Sequence, residues 1–303
     1  MFRAGRWAVA LICLSVVGLA IVLFLVFRAE RVDVVSREPG LDDAPGAFSV
    51  VALGQVGVGQ GGQWHLAPNL ADAIVLFYFR PETGVVNLVS LPRDLYGNLG
   101  EDRIKINRVL LDKKLPEFLK VLPDITGIKT ERYMIFDLNL VKGIVDSLGG
   151  VDVNLPTAVH DPVGDFSLNS GSNHLGGESA VWLIRNRYAP TGDFFREQNQ
   201  HLVVEAVLTK FSQLSALEKT SFIFRVLPHL SSDMSNFSLN EVASNFRDAE
   251  VTGFNSIVLD FSTGLWQSSS ILTEDGESAY VLIPKEGINE YRAIREYIEQ
   301  HLE

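Results

Sequence analysis

The chain is poor in cysteine and short of positive charge. Its single cysteine, Cys13, excludes an intramolecular disulfide, and its place in an apolar N-terminal stretch excludes a cysteine nucleophile. Lys+Arg number 26 against 37 Asp+Glu, a net charge of −11 with pI near 5.1. A nucleic-acid binder shows a broad basic face, so that class is set aside, and no helix-turn-helix pattern argues for it. Gly57, Gly59, Gly61 and Gly62 form a glycine-rich loop, but no Gly-Lys-Ser/Thr follows, so it is no Walker loop. Ser90 lacks the Gly-x-Ser-x-Gly context of a nucleophile elbow. His65, His160, His174 and His201 show no metal-ligand spacing. Internal repeats and low-complexity segments are missing as well.

What is present begins with an uncharged run from Trp7 to Phe27. As a helix it is about 31 Å long, which matches a bilayer core. A cleaved signal peptide is the competing reading. The run is long for that role and no small-x-small cleavage site follows, so an uncleaved signal-anchor is expected. Arg3 and Arg6 precede it, and Arg28 and Arg31 follow, so the arginine balance decides orientation weakly. Residues 1–6 are expected to stay in the cytoplasm. Residues 28–46, with Pro39, Gly40, Pro45 and Gly46, read as a juxtamembrane linker.

From Ala47 the hydrophobic pattern alternates between strands and helices. Phe48–Leu53 reads as a strand ending at Gly54. The continuous apolar run Ala73–Phe79 reads as a strand covered on both faces, paired with Val85–Leu91 as a hairpin. Leu115–Leu122 reads as a helix and Tyr133–Phe136 as a strand. Leu138–Leu148 is a helix stopped by Gly149-Gly150, and Val151–Leu155 a strand. Glu178–Ile184 is a short helix, and Asp193–Leu214 a longer one with Asp193 as its N-cap. Tyr280–Ile283 is a strand and Ile288–Leu302 a closing helix. This order implies one α/β domain over residues 47–303, with helices packed on a mixed sheet.

Arg185, Arg187 and Arg196 are the local exception to an acidic chain. Two guanidiniums about 6 Å apart repel by roughly 3 kcal/mol at an effective dielectric near 20, a cost that an intervening anion removes. The arginine fork fits phosphate oxygens in bidentate fashion. The triplet alone fits a solvated surface with carboxylate partners equally well. Arg185 and Arg187 diverge by about 200° on a helix but point the same way in an extended segment; an extended segment after Ile184 is expected. Asp193, Arg196 and Gln200 share one helix face. Three more polar segments stand at strand ends or helix starts: Asn69–Asp72, Ser90–Asp94 and Asp102–Asn107. Ligands in α/β folds bind at such places. Asp94 reads equally as a turn residue or a partner of Arg93, and Lys105 taken alone as a surface lysine.

In order and spacing these segments resemble the LytR–CpsA–Psr family of bacterial envelope proteins. The resemblance is carried by Ser90-Leu-Pro-Arg-Asp94, Lys105-Ile-Asn107, Ile144–Val153, Leu175–Ala180, Arg185-Asn-Arg187 and Asp193–Gln200. It implies an extracytoplasmic three-layer α/β/α domain behind a membrane anchor. It implies transfer of a glycan phosphate from a polyprenyl-pyrophosphate carrier to peptidoglycan, a phosphotransferase reaction, with an apolar groove for the lipid. Arg93, Lys105, Arg185, Arg187 and Arg196 would contact the pyrophosphate, with Gln200 beside them. Arg93, Arg187, Asp193 and Arg196 would be catalytic, Asp193 either orienting an arginine or assisting the acceptor hydroxyl. Asp72 would help hold Mg²⁺. The guanidiniums would meet in one pocket. One departure stands out: the family's aspartate two residues after the first strand's glycine is Val56 here, and the arginine-serine pair before Asp72 is Leu70-Ala71. Half of the usual carboxylate pair is missing. A receptor for the lipid carrier or the wall polymer, without transfer activity, is therefore a second expectation, and a lipid pyrophosphatase a third.

Overall fold

The structure is a computed structural model and describes residues 47–55, 69–130, 132–162, 164–215, 217–218, 221–222, 251–273 and 276–303. The expected anchor at 7–27, the linker at 28–46, the glycine-rich loop and Val56 lie outside these residues. Among the described residues, no helix is long and apolar enough to cross a membrane.

The fold is mixed α/β with a central mixed sheet, and the chain forms two compact units. The first holds the five-stranded sheet. Its strands are β1 (Phe48–Gln55), β2 (Ala73–Arg80), β3 (Val85–Ser90), β6 (Tyr133–Asp137) and β11 (Gly253–Val258), in the order β11-β3-β2-β1-β6. β1 and β2 are antiparallel, with Val51 opposite Leu76 and Leu53 opposite Ile74. Val50–Leu53 and Ile74–Leu76 are buried without alternation, as expected for strands covered on both faces. Each large side chain taken out of water there contributes about 1.5–3 kcal/mol, an upper bound. β2 and β3 are neighbours joined by four turn residues, too short a link for a parallel crossover, so they form the expected hairpin.

The same unit contains α1 (Leu115–Thr126), α5 (Arg292–His301) and two hairpins: β4 (Tyr96–Leu99) with β5 (Asp102–Lys105), and β12 (Trp266–Leu272) with β13 (Ser278–Pro284). α1 runs past Pro123, beyond the expected end at Leu122, and stops at Gly127, whose φ of 77° is left-handed. A proline there removes one intrahelical hydrogen bond. The burial of Leu122, Ile125 and Thr126 holds the last turn in place regardless. α5 begins at Arg292, four residues after the expected start.

The second unit carries α2 (Leu138–Ser147), β7 (Val151–Leu155), β8 (Val159–Asp161), β9 (Phe166–Leu168), β10 (Gly171–Leu175), α3 (Gly177–Arg185) and α4 (Asp193–Ser212). Asp137 caps α2 by accepting from Leu140 N at 2.9 Å. Asp146, near its end, accepts from Gly177 N at 2.8 Å and so ties α2 to the start of α3. β7 pairs with β10 and β8 with β9.

In the sheet unit, Asn87 is fully buried on β3. Its Nδ2 donates to Tyr78 O at 3.4 Å and Glu303 O at 3.0 Å. Its Oδ1 accepts from Asn255 Nδ2 at 2.8 Å and Glu303 N at 3.0 Å. Replacing Asn87 by the isosteric Leu strands buried partners, each costing about 1–3 kcal/mol. Urea unfolding of N87L is expected to show a destabilisation of about 2–4 kcal/mol with an unchanged m-value; a loss under about 0.5 kcal/mol would contradict this account.

Candidate functional site

Three of the four polar segments come together in the sheet unit. Ala71 N donates to Asn107 O at 2.8 Å, Asp72 N to Gly54 O at 2.7 Å, and Asn107 N to Arg93 O at 3.1 Å. These backbone bonds stitch the loop before β2, the turn after β3 and the end of β5. The side chains then form a chain of alternating charge. Arg93 Nη1 donates to Asp72 Oδ1. Arg93 Nε lies 4.0 Å from Asp94 Oδ2, and Asp94 Oδ1 accepts from Lys105 Nζ at 2.7 Å. Lys105 Nζ also reaches Tyr280 O at 3.3 Å. Lys105 is thus no loose surface lysine, and Asp94 serves it more closely than it serves Arg93. Two carboxylates match two cations, so this cluster is neutral before any ligand arrives. All four side chains are less than a quarter exposed, which shields them from the screening that weakens surface pairs.

The arginine stretch is built in the second unit. Arg185 is the last residue of α3, so the expected extended segment begins one residue later. Burial of Leu183 and Ile184 carries the helix that far. The Arg185 side chain is exposed and makes no hydrogen bond or ion pair among the described residues. Asn186, between the two arginines, is buried: its Oδ1 accepts from Tyr188 N at 3.0 Å, and its Nδ2 donates to His160 O at 3.4 Å. That clamp fixes the backbone from which Arg187 projects. The turn then reaches Gly192, whose φ of 54° favours glycine, and α4 begins.

Gly192, not Asp193, is the N-cap of α4, and no side chain caps it. The expected capping role fails because Asp193 is already inside the first turn and its carboxylate is used elsewhere. Arg187 Nε lies 3.1 Å from Asp193 Oδ1, and Arg196 Nη2 donates to Asp193 Oδ2 at 2.8 Å. One carboxylate bridges two guanidiniums. The anion required between like charges is therefore supplied, for this pair, by the protein itself. From Arg185 to Arg196 the chain still carries three arginines against one carboxylate. The excess stands at the N-terminus of a long helix, where the helix dipole also favours an anion.

Arg196 is only 3% exposed, and Glu197, Asn199 and His201 are buried beside it. Gln200 Nε2 donates to Ile184 O at 3.4 Å, tying α4 to the end of α3. Sequence reasoning missed this burial, along with Asn186 and Asn199. The only available signal was the lack of a clean apolar stripe along α4, which is what a helix with a polar buried face looks like.

The Mg²⁺ that the resemblance implies at Asp72 meets a poor donor set. Mg²⁺ takes one or two carboxylates in an octahedral shell at about 2.0–2.1 Å. Asp72 Oδ1 is occupied by Arg93, and Asp94 by Lys105. A divalent ion about 4 Å from the Arg93 guanidinium would be repelled by about 8 kcal/mol at a dielectric of 20. Among the described residues, no group of three or more His, Cys, Asp or Glu converges. As arranged, these residues do not fit the ion.

The fold is α/β, with arginines held by carboxylates in both units. A family model places it further: residues 28–284 match the LytR_cpsA_psr family, and the chain belongs to that family. It is 25% identical over 183 residues to the polyisoprenyl-teichoic acid–peptidoglycan teichoic acid transferase TagU of Bacillus licheniformis, covering 59% of each chain. To TagU of Enterococcus faecalis it is 24% identical over 226 residues, covering 73% of this chain and 70% of that one. The match thus spans less than two thirds of the Bacillus relative. Its fold is similar to the crystal structure of protein gbs0355 from Streptococcus agalactiae, with a TM-score of 0.63 at 19% identity over 84% of this chain and 87% of that one.

Burial lowers the pKa of His201, on the same helix, from its ordinary 6.5 to about 4. As pH falls through 6.5 the unfolded chain takes up a proton there, and the folded chain does not until about 4. Stability is therefore expected to drop across that window by up to about 1.4 kcal/mol per pH unit. Chemical denaturation of wild type and H201Q from pH 7 to pH 4 checks this: the variant should lose that part of the slope. Parallel curves would refute it.

Proposed function

We propose that the protein transfers a glycan phosphate from a polyprenyl-pyrophosphate carrier to peptidoglycan, anchored by residues 7–27 in the bacterial cell membrane with its α/β domain on the extracytoplasmic side. The observation that carries this reading is the arginine group at the start of α4, positively charged even after Asp193 has joined two of its members. Family membership and the names of the relatives support the substrate class.

In this reading Arg187 and Arg196 bind the diphosphate, with Arg185 adding charge and Gln200 bracing the helix. In the sheet unit, Arg93 and Lys105 are assigned phosphate contacts. An acceptor sugar hydroxyl attacks the phosphorus that bears the glycan. The new O–P bond forms, the phosphoanhydride bond breaks, and the carrier leaves as its monophosphate, which takes up the proton the hydroxyl gives up. Guanidiniums aimed at the bridging and terminal oxygens stabilise the charge that develops on the leaving phosphate. Both oxygens of Asp193 face guanidiniums, which supports orientation of the arginines over proton acceptance as its role. A receptor that binds the carrier without transfer is the second reading, favoured by the neutral, fully paired cluster around Asp72.

The test uses the purified full chain in lipid vesicles, a labelled lipid-linked donor and a peptidoglycan acceptor. Arg187 has a side chain 44% exposed, so R187A should keep the fold. R187A and R93A are each expected to lower transfer by about 100-fold or more, with unchanged thermal melts. Retained turnover in either would count against the transferase. Binding of the donor by wild type without product would establish the receptor instead, and phosphate release without acceptor a pyrophosphatase.

A further inference from the structure

We propose that Asp72 is a positioning residue that aims Arg93 at a phosphate group, and that the cationic role a metal would play at this carboxylate belongs to the Arg93 guanidinium, so that binding of a diphosphate at this site is independent of divalent ions. This rests on the diphosphate reading above and goes beyond it by naming which cationic group contacts the phosphate in the sheet unit and what aims it.

Four observations lead here. Asp72 stands in the loop before β2 with its backbone N–H fixed on Gly54 O at 2.7 Å, so the backbone that carries its carboxylate is held in place. That carboxylate accepts from Arg93 Nη1. A carboxylate on one amino group of a guanidinium restricts where the fork can point, and a planar fork matches phosphate oxygens where a point charge does not. Arg93 is held from its backbone too, its carbonyl accepting from Asn107 N at 3.1 Å. Asp94, the other carboxylate in the cluster, is committed to Lys105 at 2.7 Å and lies 4.0 Å from Arg93 Nε. A metal at Asp72 would have to share the carboxylate with a guanidinium already bound to one of its oxygens, two cations that repel at that distance. The arrangement instead has the features of a held cation: a fixed backbone, a carboxylate on one side and a guanidinium with several donors.

The experiment is a binding titration of the purified full chain with inorganic pyrophosphate, in EDTA and again in Mg²⁺. Wild type is expected to bind in EDTA, with Mg²⁺ changing the affinity less than about threefold. In EDTA, D72N and R93A should each weaken binding by about tenfold, and the double variant should be no worse than R93A alone, because Asp72 acts through Arg93. R93K keeps an ion pair but lacks the fork, and should be as weak as R93A. Should any variant fail to fold, the comparison of wild type in EDTA and Mg²⁺ still decides. Binding that requires Mg²⁺, or a D72N effect seen only with Mg²⁺, overturns the inference and leaves the transferase reading standing. Absence of binding under both conditions overturns both.

Discussion

Carboxylate–guanidinium pairing is the interaction on which the geometry of the candidate site depends. Arg93 is held by Asp72, and Arg187 and Arg196 by Asp193. Arginine is long and rotamer-rich, and fixing one at the moment of binding costs affinity. When a partner orients the fork beforehand, part of that cost is met during folding. Such pairing also lets like charges sit close together in an unliganded chain. Removing the carboxylate would leave the arginines in place but neither aimed nor compatible with one another. Asp72, expected as a metal ligand, and Asp193, expected as a cap or catalytic group, thus both stand as partners of arginines.

The two clusters solve the problem differently. In the sheet unit the charges alternate and cancel, and backbone hydrogen bonds between three loops set their spacing. In the second unit one carboxylate serves two arginines, a third stands beside them, and a helix start adds its partial charge. The first arrangement favours direction over attraction, since a neutral group draws no anion from a distance. The second favours attraction, since its surplus charge does.

Much of the α/β pattern was legible in the sequence because its signals are local. β2 is an unbroken apolar run, α2 carries helical spacing and a double-glycine stop, and β7 alternates. The short hairpins were not legible. β5 reads Asp-Arg-Ile-Lys and β10 reads Gly-Ser-Asn-His-Leu, segments in which pairing geometry, not hydrophobicity, makes the strand. At the candidate site, the arginines and Asp72 were visible as residue types at the ends of elements. What each one touches was not. Asp193 was taken for a cap because its position at a helix start is typical of one, and only the coordinates separate that place from the first turn. The burial of Arg196 and Asn186 ran against the usual exposure of both residue types, and Asn87 draws partners from far along the chain.

That last residue bears on how the chain reaches its native state. The amide of Asn87 is completed by groups 216 positions away. Loops of such span close slowly, and the entropy is lost before the contacts that reward it exist. Until that distant segment arrives, β3 carries an amide without two of its partners in a buried setting. Completion of the amide on β3 thus waits on a contact of very long sequence separation, which makes that part of the sheet interior slow to form.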